Sequence, residues 1–563
     1  MSSVSTYTPV TKSGQITYTG LGNGTNFTQL ITKLVQVEQG RITTLQTWRQ
    51  SWTKKQTAFD TLTTELSSLQ TTLTGMDTES EFLVKSSVSS DTAKLTATAV
   101  GGSDNGSHEI EIGRLATAKA MASQGYATTT EDINTSGSDV TFNYIYKGTT
   151  YANTVGANCS LTDLCSIVNN DANNPGVKAS IVYDGSQYYM QLRGMDTGEA
   201  ASLVIASNST LANFSDADFS LITSNGDAKL KLDGWPTASN AWITRSTNAV
   251  TDLLAGVTLN LKSTGTVTVT TTTDTDAIKT NIQTFVDKMN SVRTMLQSLT
   301  KVSTTGDKTV GSLLTGNYGL QMIDANLKNI CASIGVGFDY TKDTYATLST
   351  LGILTDASEG SATEGLLVID ETKLDAALAA DPDAVAALFA TKYAGRTSSN
   401  DFAISSYISG TTECGTYKLS YTTDAGGKIT AATINGHPAT FHSNSNLITG
   451  MHGYGEAGLV IKAIDTSAGT HTGTASLKEG KVVQLVSALS ELTNVNSGPL
   501  AVLDDNYQDI VDMIDDKIAY EERRITNYAA QLRRRFALVD SQLSVYDKMQ
   551  SQLESQIEKL SSD

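Results

Sequence analysis

Charge is scarce in this chain. Asp, Glu, Lys and Arg make up 17% of 563 residues, and the balance is acidic, with a net charge of −18. Such a surface repels nucleic acid and anionic lipid, so neither is expected as a partner. Cysteine is scarcer still. Cys159, Cys165, Cys331 and Cys414 include no CxxC pair, which leaves a zinc or redox centre without support. Cys159 and Cys165 could bridge in an oxidising place, but two buried free thiols are the simpler expectation. There are six prolines beside 45 glycines, with a hydrophobic fraction of 39%, a globular composition and not a disordered one. No apolar run approaches a membrane span. The opening "MSSVSTYTPV" lacks both the basic and the apolar region of a secretory leader. The expectation is a cytoplasmic protein, or one exported without a cleaved signal.

What is abundant is Thr and Ser, as in "TGTVTVTTTTDTD". Intracellular enzymes seldom carry such tracts, whereas extracellular bacterial appendages often do. Length alone suggests about two to four domains. Residues 1–24 are polar and Gly-rich, and are expected to be disordered until assembled. A helical pattern then runs from Asn26 to about Thr74. Phe27, Leu30, Leu34 and Val37 start one stripe, and the phase slips at Gln39-Gly40-Arg41, a stutter or a break between helices. Beyond it a heptad places Leu45, Trp52, Phe59, Leu66 and Leu73 at one position and Trp48, Leu62 and Leu69 at another. From about Glu81 the period falls to two, as in "HEIEIGRLATAKAMA" and "VKASIVYDGSQYYMQLRG", which predicts strands and hairpins around one short helix, "SLTDLCSIVNNDA". Helical spacing returns near Asp274, with Ile278, Ile282, Phe285, Met289, Val292 and Leu296 on one stripe. Residues 403–475 alternate again, with tight turns at AGGK and NGH. The chain from Lys481 to Leu560 is helical, broken at "NVNSGP".

The last helix carries its own seven-residue repeat: Val511, Ile518, Ile525, Leu532, Val539, Tyr546, Leu553 and Leu560. A seam left in water forfeits about 1.5–3 kcal/mol for each large apolar side chain, so the two terminal seams are expected to pair. Polar residues at Glu521, Arg535, Gln542 and Gln556 interrupt the last seam, which predicts frayed ends in the free protein. The arginines Arg523, Arg524, Arg533, Arg534 and Arg535 then read as charge flanking the seam. Trp48 and Trp52 read as seam or interface aromatics.

Catalytic constellations are missing from the sequence. His437, His442, His452 and His471 match no metal-ligand spacing and read as surface histidines on a β module. "GYGEAG" is followed by no P-loop Lys, "SDNGS" and "DASEGS" lack the EF-hand spacing, and no GxSxG elbow exists. No enzyme activity, cofactor, metal or catalytic residue is expected.

Several stretches carry a family resemblance. "GLGNGTNFTQLITKLVQVEQGRITTLQ" has a Gly-rich start leading into a long helix, and "GGSDNGSHEIEIGRLATAKAMAS" follows it. The most specific stretch is "LGILTD…GLLVIDETKLDAALAADPDAVAALF", joined by "LVDSQLSVYDKMQSQL" near the end. In these the chain resembles the bacterial flagellar filament cap family, also called hook-associated protein 2. It departs at Asn317, where the family usually shows Asp, and in the 403–475 module, which some members carry. The resemblance implies an extracellular protein at the flagellar tip, exported by the flagellar type III system. It implies a self-assembled ring, typically a pentamer, that holds exported flagellin while it folds and inserts. A hook–filament junction protein and a type III export chaperone are the further partners it implies.

The expected fold is multidomain α+β, with terminal helices pairing as an antiparallel coiled-coil or helical-bundle leg and β-rich head domains inserted. The expected divisions are 1–75 (disordered segment and leg helix), 76–273 (two β-rich heads, the outer about 115–235), 274–395 (helical leg), 396–478 (small β module) and 479–563 (leg helix). Both seams are the candidate assembly residues. Two other functions suit the same pattern: an adhesin binding host mucin or glycans through its β lobes, and a flagellin-like filament subunit.

Overall fold

In a computed structural model, residues 27–305, 308–442 and 444–561 are described, and the polar opening segment 1–24 lies outside them. The chain divides into two compact units. One comprises residues 1–71, 288–329 and 485–563, and the other 72–287 and 330–484. The first long helix is Phe27–Thr74 and the last is Pro499–Ser561. The phase slip at Gln39–Arg41 is therefore a stutter inside one helix, since a single Gly costs only about 1 kcal/mol there. The expected break at "NVNSGP" separates Lys481–Leu492 from Pro499–Ser561, with Pro499 opening the second helix.

The unit of residues 72–287 and 330–484 is built from antiparallel sheets. A five-stranded sheet runs in the order Lys85–Ser89, Gly265–Thr273, Gly106–Arg114, Ala228–Leu232, Ile243–Arg245. With a three-stranded sheet of Ala249–Leu254, Val257–Leu261 and Leu95–Ala99 it encloses Ile110, Ile112, Leu230, Leu259, Val267 and Val269. The Thr-rich tract is one of these strands: Val267 and Val269 point inward and the intervening threonines outward, the period-two pattern of a half-buried strand.

Strands Gly106–Arg114 and Ala228–Leu232 pair directly, and the chain between them closes a core of its own. Two small sheets and the helix Leu161–Asn170 surround Phe142, Tyr144, Leu164, Met190 and Phe214, all fully buried. Ser160 and Asp163 cap that helix reciprocally: the Asp163 N–H donates to Ser160 Oγ (3.2 Å), and the Asp163 carboxylate accepts from Ser160 Oγ–H (2.7 Å) and N–H (3.0 Å). These bonds hold the Asp163 carboxyl below the usual carboxylate range, the hydroxyl contributing most. Cys159, just before this helix, and Cys165, within it, are buried and form no disulfide, and burial pushes both thiols up to about 11.

A third sheet pair spans Lys392–Glu479 around Phe402, Tyr417, Tyr421, Ile461 and Leu477. Asn435 and Gly436 both have positive φ (51° and 84°) between paired Ile434 and His437, so the NG dipeptide makes the two-residue hairpin turn. The motif "IDETKLDAALAADPDAV" also acquires a physical meaning. Asp370 caps Glu371–Ala380 by accepting from the Lys373 N–H. Asp381 ends that helix and caps the next, Pro382–Ala390, whose first residue is proline. Phe389 from this second helix stacks on Phe82 (4.7 Å between centroids) and meets Phe285 edge-on (5.4 Å). Lys481 is fully buried, and its ammonium donates to the carbonyls of Ile330 and Ile334 and to Ser333 Oγ (2.8, 3.1 and 3.2 Å), closing the end of helix Tyr318–Ala332.

Phe142→Ala should cost about 3–5 kcal/mol, read as a lowered urea midpoint, because a fully buried ring leaves a cavity. The Asp163 contribution is present above the ordinary carboxylate value of about 3.9 and is lost as pH falls through the lowered folded value. Asp163→Asn should therefore be less stable at neutral pH and show a shallower loss of stability on acidification. An unchanged acid limb would contradict this account of the cap.

Candidate assembly surface

In the unit of residues 1–71, 288–329 and 485–563, side chains of the first and last long helices meet in descending order. Phe27 stacks on Phe536 (5.3 Å), Glu38 pairs with Arg524, and Arg49 pairs with Asp515 (2.5 Å). Further along, Trp52 and Phe59 both meet the ring of Tyr507 (5.6 and 5.7 Å), and Gln56 bonds Gln508 (2.8 Å). Each step forward on one helix is a step back on the other, so the contacts are antiparallel.

Burial along the first helix is graded from Leu45 onward, although Phe27 and Ile31 at its start are buried too. Phe59, Leu62, Leu66, Leu69 and Leu73 are fully buried, Leu45 and Trp52 half-buried, and Trp48 exposed. The seam reading of Trp48 therefore fails. Its heptad position continues as Lys55 before Leu62, and an α-helix of 3.6 residues per turn drifts off a strict seven-residue line. Lys517 Nζ instead lies 5.8 Å from the centre of the Trp48 ring. Along the last helix Val511, Ile525 and Leu532 are buried and Ile518 half-buried. Val539, Tyr546 and Leu553 are exposed, and the side chain of Leu560 lies outside the described residues. Leu538, Val545, Met549 and Ile557 are exposed too.

A heptad has two apolar positions, and polar residues further along hide the second one in the sequence. Leu500, Tyr507 and Ile514 are buried at seven-residue spacing, and the series continues as Glu521, Tyr528 and Arg535. Arg524 bridges Glu521 (2.6 Å) and Glu38, so the polar interruption is paired across the helices. Arg524 thus acts as flanking charge.

Asn317 explains one departure from the family pattern. Its Oδ1 accepts from the Leu320 N–H (3.1 Å), capping helix Tyr318–Ala332, and its Nδ2 donates to the Tyr507 hydroxyl (2.8 Å). An ionised Asp would serve the cap but could only accept from Tyr507.

The histidines divide. His442 and His452 are exposed, as expected. His437 Nδ1 lies 2.6 Å from the carboxylate of buried Glu456 and its ring stacks on Tyr454. The His471 side chain retains 10% exposure, stacked on Tyr421, so it is not a surface histidine. Strand Gly469–Glu479 turns it inward, which spacing alone does not reveal.

Amide exchange in the free protein should follow the burial gradient. Amides near Ile514, Ile525 and Leu532 should exchange slowly, and those from Leu538 to Ile557 quickly. Equal protection along the whole helix in a dilute sample would contradict the gradient.

Comparison with known proteins bears on this chain directly. The family model for the C-terminus of flagellar hook-associated protein 2 matches residues 226–551, and that for its N-terminus matches 23–119. Flagellar hook-associated protein 2 of Escherichia coli K12 is 29% identical over 385 residues, 66% of this chain and 79% of that protein. The B-type flagellar hook-associated protein 2 of Pseudomonas aeruginosa is 25% identical over 398 residues, again 66% and 79%. Among solved structures, the D1–D2–D3 domains of the flagellar cap protein from Escherichia coli share the fold. The TM-score is 0.53 at 23% identity, over 80% of this chain and 99% of that one.

Proposed function

We propose, from the premise that this chain belongs to the flagellar hook-associated protein 2 family, a mechanism in which its terminal helices are the assembly element of the cap. The chain is a flagellar filament cap protein, a structural protein of the extracellular filament tip. The comparisons lend no support to the adhesin alternative. Among the described residues no helix is long and apolar enough to cross a membrane.

The observation that carries the mechanism is the run of antiparallel contacts from Phe27–Phe536 to Phe59–Tyr507, with an apolar stripe continuing beyond it. We read the two helices as a coiled-coil leg. The assembly residues are Leu45, Trp52, Phe59, Leu62, Leu66, Leu69 and Leu73 on one helix. On the other they are Val511, Ile518, Ile525, Leu532, Val539, Tyr546, Leu553 and Leu560, with Trp48 as an outward-facing contact. The exposed residues from Leu538 to Ile557 are too many for a solvated face and suit a surface covered on assembly. The divisions are read as an opening segment and leg helix within 1–75, a helical leg domain 274–395, a leg helix within 479–563, two heads within 76–273 and a module at 396–478. The partners are further copies in a ring, taken as a pentamer, together with flagellin, the hook–filament junction protein and an export chaperone. Export is by the flagellar type III system.

Removing residues 538–563 tests the leg without touching the buried seam at Val511, Ile525 and Leu532. The truncated protein should still fold, its circular dichroism losing only the helical signal of the deleted segment. Cells carrying it should secrete flagellin monomer but build no filament. Filaments of normal length on that strain would overturn the assignment.

A further inference from the structure

We propose that the sheet pair spanning Lys392–Glu479 holds a divalent cation of the zinc class between Asp401, Asp465 and His471. One ligand atom from each residue lies within 4.8 Å of the others. The three come from separate places: the turn before strand Phe402–Ser406, the connection after Val460–Ala463, and strand Gly469–Glu479.

Tyr421 builds the site. Its ring stacks on the His471 imidazole, with centroids 4.7 Å apart and planes within 16°. Its hydroxyl lies 2.9 Å from the carbonyl of Asp401 and 2.8 Å from that of Asp465. One buried phenol therefore fixes the imidazole plane and the backbone of both acids. The Asp465 carboxylate is oriented in turn by the Ser467 N–H (2.9 Å).

The imidazole tautomer supplies the second argument. His471 Nε2 lies 3.0 Å from the Ser467 carbonyl and 3.4 Å from Thr423 Oγ1. A carbonyl can only accept, so Nε2 carries the proton, and in the neutral ring Nδ1 presents its lone pair. Nδ1 faces the Asp465 carboxylate at 3.8 Å. A side chain 90% buried thus points an acceptor at two further acceptors. A cation between them resolves the conflict, and a ring N–H bonded to a backbone carbonyl is the usual outer support of a metal-bound histidine.

The donor set selects the ion. One imidazole nitrogen and two carboxylates suit zinc, while calcium and magnesium favour all-oxygen shells. Tetrahedral zinc with bonds of about 2.0–2.2 Å holds its ligands about 3.4 Å apart. The 3.8 Å His471–Asp465 separation, and the others of up to 4.8 Å, would have to shorten on binding, and the Asp465 side chain, 43% exposed, has room to turn. Three protein ligands leave a fourth position to water. The bound ion would join strands of the four-stranded and five-stranded sheets, because Phe402–Ser406 belongs to one and Gly469–Glu479 to the other.

The test uses the full chain, stripped with chelator and titrated with zinc sulfate in a calorimeter and in thermal melts. One equivalent should bind. Zinc at about a hundred times its Kd should reduce the unfolding equilibrium constant about a hundredfold. Calcium and magnesium should do neither. Asp465→Asn, at an exposed position, should fold normally without zinc and lose both responses. His471→Gln should lose them too. Failure of the unmodified chain to bind zinc would overturn the site in favour of a protonated His471 paired with Asp465. Undiminished binding by Asp465→Asn would overturn it as well. Neither result bears on the cap function, which rests on the terminal helices.

Discussion

The helical unit depends on the ring of Tyr507. Trp52 and Phe59 of the first long helix meet it at interplanar angles of 60° and 80°, and Asn317, at the head of a third helix, donates to its hydroxyl. Segments far apart in the chain thus share one aromatic side chain. Its apolar body serves the seam and its polar tip serves a cap, the dual character that places tyrosine where a dry surface meets a polar one. Around it the polar pairs Arg49–Asp515 and Glu38–Arg524 set register more than stability, since part-exposed ion pairs contribute little net energy.

The sheet unit follows a different constraint. A β insertion is tolerated when the strands on either side of it pair with each other, because the host sheet then closes without it. Gly106–Arg114 and Ala228–Leu232 do this. Lys392–Thr397 and Gly469–Glu479 also pair, and the chain between them closes around Phe402 and Ile461. The first insertion draws its core from its own residues, whereas the second also takes Ala475 and Leu477 from the flanking strand Gly469–Glu479. A family can vary such lobes while its helices keep their pattern.

Much of this was legible in the sequence, and the reason is period. Strands with one wet face alternate, as in the Thr-rich tract, and long helices repeat, as from Leu45 to Leu73. Helix Pro382–Ala390, which buries Val385, Ala386, Leu388, Phe389 and Ala390, was legible only as part of the "DPDAVAALF" family motif. What periodicity could not give was which residue on a seam meets which. Trp48 sits at a heptad position and faces solvent, because its series runs through Lys55. The opposite error hid Leu500, Tyr507 and Ile514, a second series obscured by Glu521 and Arg535 further along. Asp401, Asp465 and His471 were out of reach for another reason. Their proximity is a product of sheet closure, and no local spacing encodes it.

The buried thiols of Cys159 and Cys165 have a consequence for a chain that functions outside the cell. Burial raises both thiols above their ordinary range, so less of each is ionised at neutral pH, and the thiolate is the form that oxidants attack. In the unfolded chain the same groups regain ordinary acidity and become far more reactive. Folding therefore passivates them: the fold itself is the antioxidant, and the interval of chemical risk ends when the helix Leu161–Asn170 closes over its core.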